Sequence, residues 1–91
     1  MTKRQLIDQV SRKAHLPKKA ATEAVDVFLD EIARALSKGE KVVLSGFGTF
    51  RVIQMKGKTV KIPNTEKFVT IKSHRSPRFT PGKSLKRKVA K

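Results

Sequence analysis

A glycine-rich turn followed by a basic, proline-centred segment is the feature that most limits how this chain can fold. Residues 41–51, KVVLSGFGTFR, combine β-branched residues with two glycines, and residues 56–67, KGKTVKIPNTEK, carry lysines on both sides of Pro63. This pattern predicts two strands joined as a long arm on a compact body. An isolated two-stranded ribbon is only marginally stable in water, so the arm needs something to pack against or grip.

The charge of the chain indicates that this partner is a polyanion. The 91 residues carry a formal net charge of +15. Residues 1–45 hold nine Lys and Arg against six acids, a net +3, whereas residues 46–91 hold thirteen against Glu66 alone, a net +12. We therefore expect the N-terminal half to build the body and the C-terminal half to meet the anion.

Composition also disfavours several classes of protein. The chain has no cysteine and two isolated histidines, His15 and His74, so we expect neither a metal cluster nor any other cofactor. No stretch approaches the roughly 20 apolar residues of a membrane span, and no signal peptide follows the N-terminus, so we expect a cytoplasmic protein. An enzyme is not expected, because neither histidine nor Glu66 has a partner in a recognisable catalytic arrangement.

Two helices are predicted in the N-terminal half. Thr2 can cap a helix over about residues 3–14, which ends before Pro17. A second helix is predicted over about residues 18–38, with Gly39 as its left-handed C-terminal cap.

The apolar stripe of the second helix is wider than two short helices and a thin sheet could cover in one monomer. We therefore expect part of the stripe, centred on Phe28 and Ile32, to form a subunit interface. An ordinary core within one chain is the alternative.

The predicted fold is α+β and forms a single domain over residues 1–91. It has two N-terminal helices, a three-stranded antiparallel sheet with a long β-hairpin arm, and a short C-terminal helix. We expect the helical body and first strand in residues 1–45, the sheet and arm in 46–80, and the last helix in 81–91. Thr80 would cap this helix with Pro81 as its first residue, and both glycines of the turn at 45–48 would take positive φ.

The arm is predicted to turn at Pro63 and Asn64, since proline suits the first central position of a turn and asparagine tolerates the second. A two-residue turn pairs Lys61 with Glu66, Lys58 with Val69 and Lys56 with Ile71. Lysines along a slim ribbon match a row of phosphates in a DNA groove, and Pro63 at its end could push between stacked bases. Alternatively, Pro63 only closes a surface hairpin, but an exposed Ile62 beside it favours the wedge.

Three motifs at matching spacing resemble the bacterial histone-like HU and integration host factor family. They are GFGTF at 46–50, the arm with Pro63 and Thr65, and RFTPGKSLK at 78–86, and the similarity covers essentially the whole chain. The resemblance implies an intertwined dimer whose arms curve around DNA, with the tip prolines intercalating in the minor groove and bending the duplex. It also implies DNA contacts for Lys58 and Lys61 on the arm.

The arm departs from the family pattern at several positions. Lys61 and Ile62 stand where family members usually have Arg and Asn, Glu66 replaces a usual glycine, and Ile53 and Met55 replace common basic residues. Lysine lacks the bidentate geometry of arginine, so we expect recognition of shape and backbone with little base readout.

These arguments predict an architectural, nucleoid-associated protein that binds double-stranded DNA largely without sequence specificity and prefers bent, nicked or distorted duplex. The partner subunit would be an identical chain or a paralogue. The predicted DNA-binding residues are Lys3, Arg4, Gly46, Arg51, Lys56, Lys58, Lys61, Ile62, Pro63, Asn64, Lys72, Arg75, Lys83 and Lys86. The predicted dimer interface is formed by Val25, Phe28, Leu29, Ile32, Leu44, Phe47, Phe50 and Phe79.

Three alternatives stay open at this stage. A site-specific DNA-bending factor of the integration host factor type has the same architecture. A basic RNA-binding protein fits the size and charge, but the chain has no Tyr or Trp, and its five phenylalanines mostly occupy core-like positions. An anionic-membrane binder would need a longer amphipathic helix than the C-terminal one.

Overall fold

The computed structural model describes residues 1–90 and confirms the predicted α+β architecture. The chain forms two compact units, Met1–Ala35 and a second that begins at Leu36. Its elements are α1 (Lys3–Lys13), α2 (Lys18–Ser37), β1 (Val42–Leu44), β2 (Gly48–Met55), β3 (Lys58–Lys61), β4 (Phe68–Ile71), β5 (His74–Pro81) and α3 (Lys83–Val89).

The helix α1 begins at the predicted cap. The Thr2 hydroxyl accepts a hydrogen bond from the Gln5 amide at 3.2 Å, and the Gln5 side-chain oxygen accepts one from the Thr2 amide at 2.8 Å. This reciprocal pair satisfies two amides that have no partner within the helix. The chain leaves α1 through His15 at a φ of 56°, two residues before Pro17.

Two ion pairs connect α1 to α2. Lys3 Nζ lies 2.6 Å from Asp26 Oδ1, and Lys18 Nζ lies 2.7 Å from Asp8 Oδ1. The hydrogen bond from Lys18 lowers the pKa of Asp8, while the hydrogen bond and charge of Asp26 raise the pKa of Lys3. The folded chain therefore favours the ionised form of each of these two groups.

The helix α2 ends one residue earlier than predicted, at Ser37, and the cap assigned to Gly39 is confirmed. Gly39 has a φ of +80°, and its amide donates to the Leu36 carbonyl at 2.9 Å. This left-handed residue turns the chain out of the helix at little steric cost because glycine has no Cβ.

The main sheet is antiparallel with strand order β1-β2-β5. The strands β2 and β5 pair over eight residues, from Gly48 opposite Pro81 to Met55 opposite His74. The Phe79 ring centroid lies 4.8 Å from that of Phe50 and 5.5 Å from that of Phe47, which makes an aromatic cluster beside the turn. Phe79 thus lies within β5.

The two glycines of the β1–β2 turn are required for different physical reasons. The expectation of positive φ at both is wrong. Gly46 has a φ of +80°. Gly48 begins β2, and a Cβ on it would lie 2.5 Å from the Phe79 ring and 2.7 Å from the Thr80 carbonyl oxygen. The requirement at Gly48 is therefore space against β5 rather than a left-handed backbone.

The start of α3 also differs from the prediction. Thr80 and Pro81 belong to β5, Gly82 is the N-cap, and no side chain caps the helix. The pairing of Pro81 with Gly48, together with a 2.8 Å hydrogen bond from the Gly82 amide to the Phe47 carbonyl, holds the chain extended up to Gly82. Sheet pairing therefore takes precedence over the local capping signal of Thr80 and Pro81.

The close approach at Gly48 leads to a test of the sheet. The variant Gly48→Ala should lower the free energy of unfolding by on the order of 1–3 kcal/mol, because the new methyl group must displace Phe79 or the β5 backbone. Urea unfolding at one fixed protein concentration measures this loss. Gly46→Asn is the matched control, since asparagine tolerates positive φ and nothing lies within 4 Å of a Cβ at Gly46. Equal losses in the two variants would contradict the steric account.

Candidate nucleic-acid interface

The arm is a separate two-stranded sheet formed by β3 and β4. It is set off from the main sheet by Lys56 and Gly57 on one strand and by Lys72 and Ser73 on the other. At Gly57 a Cβ would lie 2.7 Å from the Ile71 carbonyl oxygen and 3.0 Å from the Ser73 amide nitrogen. Glycine at position 57 therefore lets the backbones of the two strands pass close to each other where the arm leaves the main sheet.

The predicted register of the arm is wrong by two residues. The structure pairs Lys58 with Ile71 and Lys61 with Phe68. Because side chains alternate between faces with a period of two and these lysines lie three positions apart on β3, they lie on opposite faces of the ribbon. Lys56 lies before β3 and has no partner in the ladder, so its predicted pairing with Ile71 is also wrong.

The arm ends in a loop whose centre is the predicted turn. The Thr65 amide donates to the Ile62 carbonyl at 3.2 Å, with Pro63 and Asn64 between them and Asn64 at a φ of 63°. Proline at the second position and a positive φ at the third are typical of a type II turn. The predicted turn residues are confirmed, and Ile62 and Pro63 lie at the end of the ribbon.

Thr65 closes this loop, a role that our sequence analysis did not assign. Its hydroxyl donates to the Ile62 carbonyl at 2.9 Å and accepts from the Lys67 amide at 3.2 Å, and the Ile62 amide donates to the Lys67 carbonyl at 2.9 Å. The loop thus spans residues 62–67, and its extra residues account for the shift in register. The tendency of threonine side chains to hydrogen-bond nearby backbone groups in turns could have indicated this role from the sequence.

The arm lysines point into solvent without internal partners. In the described part of the chain, no ion pair or side-chain hydrogen bond involves the ammonium groups of Lys56, Lys58, Lys61, Lys67 or Lys72, and all five residues are exposed. Glu66 is the one acid of this segment. The segment therefore carries a concentrated positive charge that nothing within residues 1–90 neutralises.

Three predicted DNA-binding cations on the body do have internal partners. Lys3 pairs with Asp26, Arg51 Nη2 donates to Thr80 Oγ1 at 2.9 Å, and Arg75 Nη2 donates to the Ser37 carbonyl at 3.1 Å. The Arg75 contact satisfies a carbonyl at the end of α2, where a cation also suits the helix dipole. These residues therefore have structural roles that sequence reasoning missed.

The remaining predicted DNA-binding residues lie at several exposed places. Arg4 follows Lys3 in the first turn of α1, and Lys86 lies in α3. Gly46 and Lys83 line one shallow groove with Ser84, between the β1–β2 turn and the start of α3. The structure thus brings Gly46 and Lys83 together.

Each of the two units also carries exposed apolar side chains. Phe28 and Leu29 on α2 are 51% and 44% exposed, and Phe47 and Phe79 of the aromatic cluster are 46% and 39% exposed. The other predicted interface residues, Val25, Ile32, Leu44 and Phe50, are half-buried. Among the described residues only Ile7 and Ala21 are buried hydrophobics, so much apolar surface lies open in the single chain.

Within residues 1–90 no group of three or more His, Asp and Glu side chains could hold a metal ion. None of the helices described is long and apolar enough to cross a membrane.

Comparison with known proteins identifies the family. The model of the family described as bacterial DNA-binding protein matches residues 1–90. The chain belongs to this family. It is similar to the DNA-binding protein HU of Thermotoga maritima, with 45% identity over 89 residues that cover 98% of this chain and 99% of that protein. The HU protein of Thermus thermophilus is 43% identical over 91 residues, which cover 100% of this chain and 94% of that protein.

Solved structures of family members have the same fold. A chain of an Anabaena HU–DNA cocrystal structure matches with a TM-score of 0.92 and 38% identity, over 99% of this chain and 98% of that one. The structure of HU from Thermotoga maritima matches with a TM-score of 0.71 and 38% identity, over 98% of both chains.

Proposed function

We propose that this protein is an architectural DNA-binding protein that binds double-stranded DNA through its backbone and bends it. The observation that carries the proposal is the unpaired positive charge of a slim ribbon that ends in Ile62 and Pro63. Membership of the family and the similarity to a chain from an HU–DNA cocrystal support it. The proposal extends to a nucleoid-associated protein without enzymatic activity.

The arm would act in two ways. Its lysines neutralise phosphates on both sides of a groove, which releases counterions and supplies affinity without reading sequence. The tip supplies the wedge: Pro63 is apolar and has no amide hydrogen, and the loop bonds made by Thr65 hold it in one conformation. A rigid wedge can unstack a base step and kink the duplex, and this costs less where the DNA is already bent or nicked.

Cations outside the arm would add further phosphate contacts. A guanidinium has five N–H donors, and the hydrogen bonds from Arg51 to Thr80 and from Arg75 to Ser37 each use one nitrogen, so both arginines can hold phosphate while they keep these bonds. Lys3 differs, because a phosphate must share or displace Asp26. Arg4, Lys83 and Lys86 are exposed and complete this set.

We also propose that the protein is a homodimer. The exposed apolar side chains on α2 and in the aromatic cluster would be covered by the same surfaces of a second copy. A chain of this length has a marginal core by itself, and a shared core is a common remedy. A dimer would present two arms and carry a formal charge of +30, twice the +15 of one chain.

The salt dependence of binding tests the phosphate contacts. Replacing Lys58 and Lys61 together by glutamine should flatten the plot of log affinity against log salt by roughly 1.8 per protomer, because each neutralised phosphate contributes about 0.9. Binding should weaken equally on unrelated duplex sequences. The control is the double variant Lys13→Gln with Lys38→Gln, which removes the same charge outside the arm. Its plot of log affinity against log salt should keep most of the wild-type slope. A changed sequence preference in the arm variant would contradict backbone recognition.

Pro63→Ala should reduce DNA bending more than it reduces affinity, since the lysines remain and only the wedge is lost. Energy transfer between dyes at the two duplex ends measures the bend, and a gel-shift titration measures affinity. Pro77→Ala in β5 is the matched control, because it removes a proline far from the tip loop in sequence. An unchanged bend in Pro63→Ala would rule out the wedge.

The dimer is tested by sedimentation equilibrium of the free protein. Wild type should sediment at twice the chain mass of 10.2 kDa. Phe28→Asp should dissociate or unfold it, because the interface would bury an unpaired carboxylate. Val43→Asp adds the same charge at a strand position that is 60% exposed and on the opposite face from Leu44, so it should leave the dimer intact. A wild-type monomer at micromolar concentration would contradict the assignment.

A further inference from the structure

Phe68 is the most exposed aromatic side chain in the described residues, at 64%. We expected the phenylalanines mostly to occupy core-like positions, and Phe68 does not. It begins β4, directly after the tip loop, and pairs across the ribbon with Lys61. A large ring thus lies beside a lysine next to the end of the arm.

The ring has no apolar cross-strand partner within the ribbon. Since paired residues share a face and faces alternate, Phe68 and Lys61 share a face with the pair Thr59 and Thr70. The opposite face has the ribbon's aliphatic cross-strand neighbours, which are Val60 and Val69 opposite each other and Ile71 beside Val69. These three are 39–47% exposed and less open than Phe68, which has no apolar partner in the ladder on its own face.

Charge decides what can cover the ring. The arm carries five unpaired lysines against Glu66, so a second arm would be repelled at close approach, while a nucleic acid would be attracted. Of the parts of a nucleic acid, a flat ring best matches the face of a base, and stacking on aromatic side chains is tolerant of sequence. In an intact duplex both faces of each base are already stacked. Apart from a step that the Pro63 wedge itself opens, the ring therefore finds a free face where bases are unpaired.

We propose that Phe68 is a base-stacking residue that takes the face of an unpaired nucleobase in gapped or locally melted DNA, with Lys61 holding a phosphate of the same strand. The assignment rests on the proposed function and deepens it. The wedge at Pro63 acts on paired DNA, whereas Phe68 adds affinity only where a base is free. One arm would then distinguish damaged or partly single-stranded sites from intact duplex by a contact that does not read sequence.

The test compares a duplex containing a short gap, with 2-aminopurine as the unpaired base, and the intact duplex of the same sequence. Wild type should quench the 2-aminopurine fluorescence on binding. Phe68→Leu, which keeps an apolar side chain but loses the flat ring, should lose the quenching and bind the gapped duplex roughly tenfold more weakly. Its affinity for the intact duplex should stay within about twofold. Phe68→Tyr should restore the quenching, and Val69→Thr, on the opposite face, should leave it unchanged.

Several results would overturn the assignment. If Phe68→Leu weakened binding to the gapped and the intact duplex equally, Phe68 would be a general DNA contact. If the variant still quenched the 2-aminopurine fluorescence, Phe68 would not stack on the base. A change in self-association of the DNA-free protein in Phe68→Leu, measured by sedimentation, would mean that a second copy covers the ring. Failure of wild type to bind even the intact duplex is a different outcome, because it would overturn the proposed function itself.

Discussion

The eight-residue pairing of β2 with β5 is the constraint on which the rest of the second unit depends. It brings Phe79 against Phe50, it requires glycine at position 48, and it keeps the chain extended until α3 begins after Gly82. The same two strands lead out to the arm, so the ribbon starts from a base that is already fixed by sheet hydrogen bonds. A ribbon that would be marginal by itself gains a rigid origin in this way.

The helical part of the fold could be predicted because its determinants are local. The Thr2 cap and the left-handed Gly39 each depend on residues within one turn of the helix end, and both are confirmed. The errors occur where distant residues compete with a local signal. Thr80 and Pro81 form a good helix start in isolation. However, Pro81 pairs with Gly48, which lies 33 residues earlier in the chain (81 − 48 = 33). Likewise, no local pattern indicates that Gly48 faces the Phe79 ring.

The candidate site was predictable to a similar extent. Charge distribution marks the C-terminal half, the strand pattern marks the arm within it, and the turn at Pro63 and Asn64 follows from their backbone preferences. The internal bonds of Arg51 and Arg75 could not be foreseen, since each joins residues 29 or 38 positions apart. The exposure of Phe68 could not be predicted from the sequence for a related reason. Whether a phenylalanine in a strand is covered depends on its cross-strand neighbours, and these are known only when the register is known.

The six-residue tip loop has a consequence for how arms of this kind can change in evolution. The pairs of β3 with β4 continue the register of β2 with β5, since two residues separate the two ladders on each strand. Because the base of the arm fixes this register, a change in the number of loop residues alters the loop and leaves each lysine on its face of the ribbon. Tip loops of related sequences are therefore free to vary by odd or even numbers of residues, whereas an odd insertion within β2 or β5 would exchange the faces of the strand that follows it unless a bulge absorbed the change.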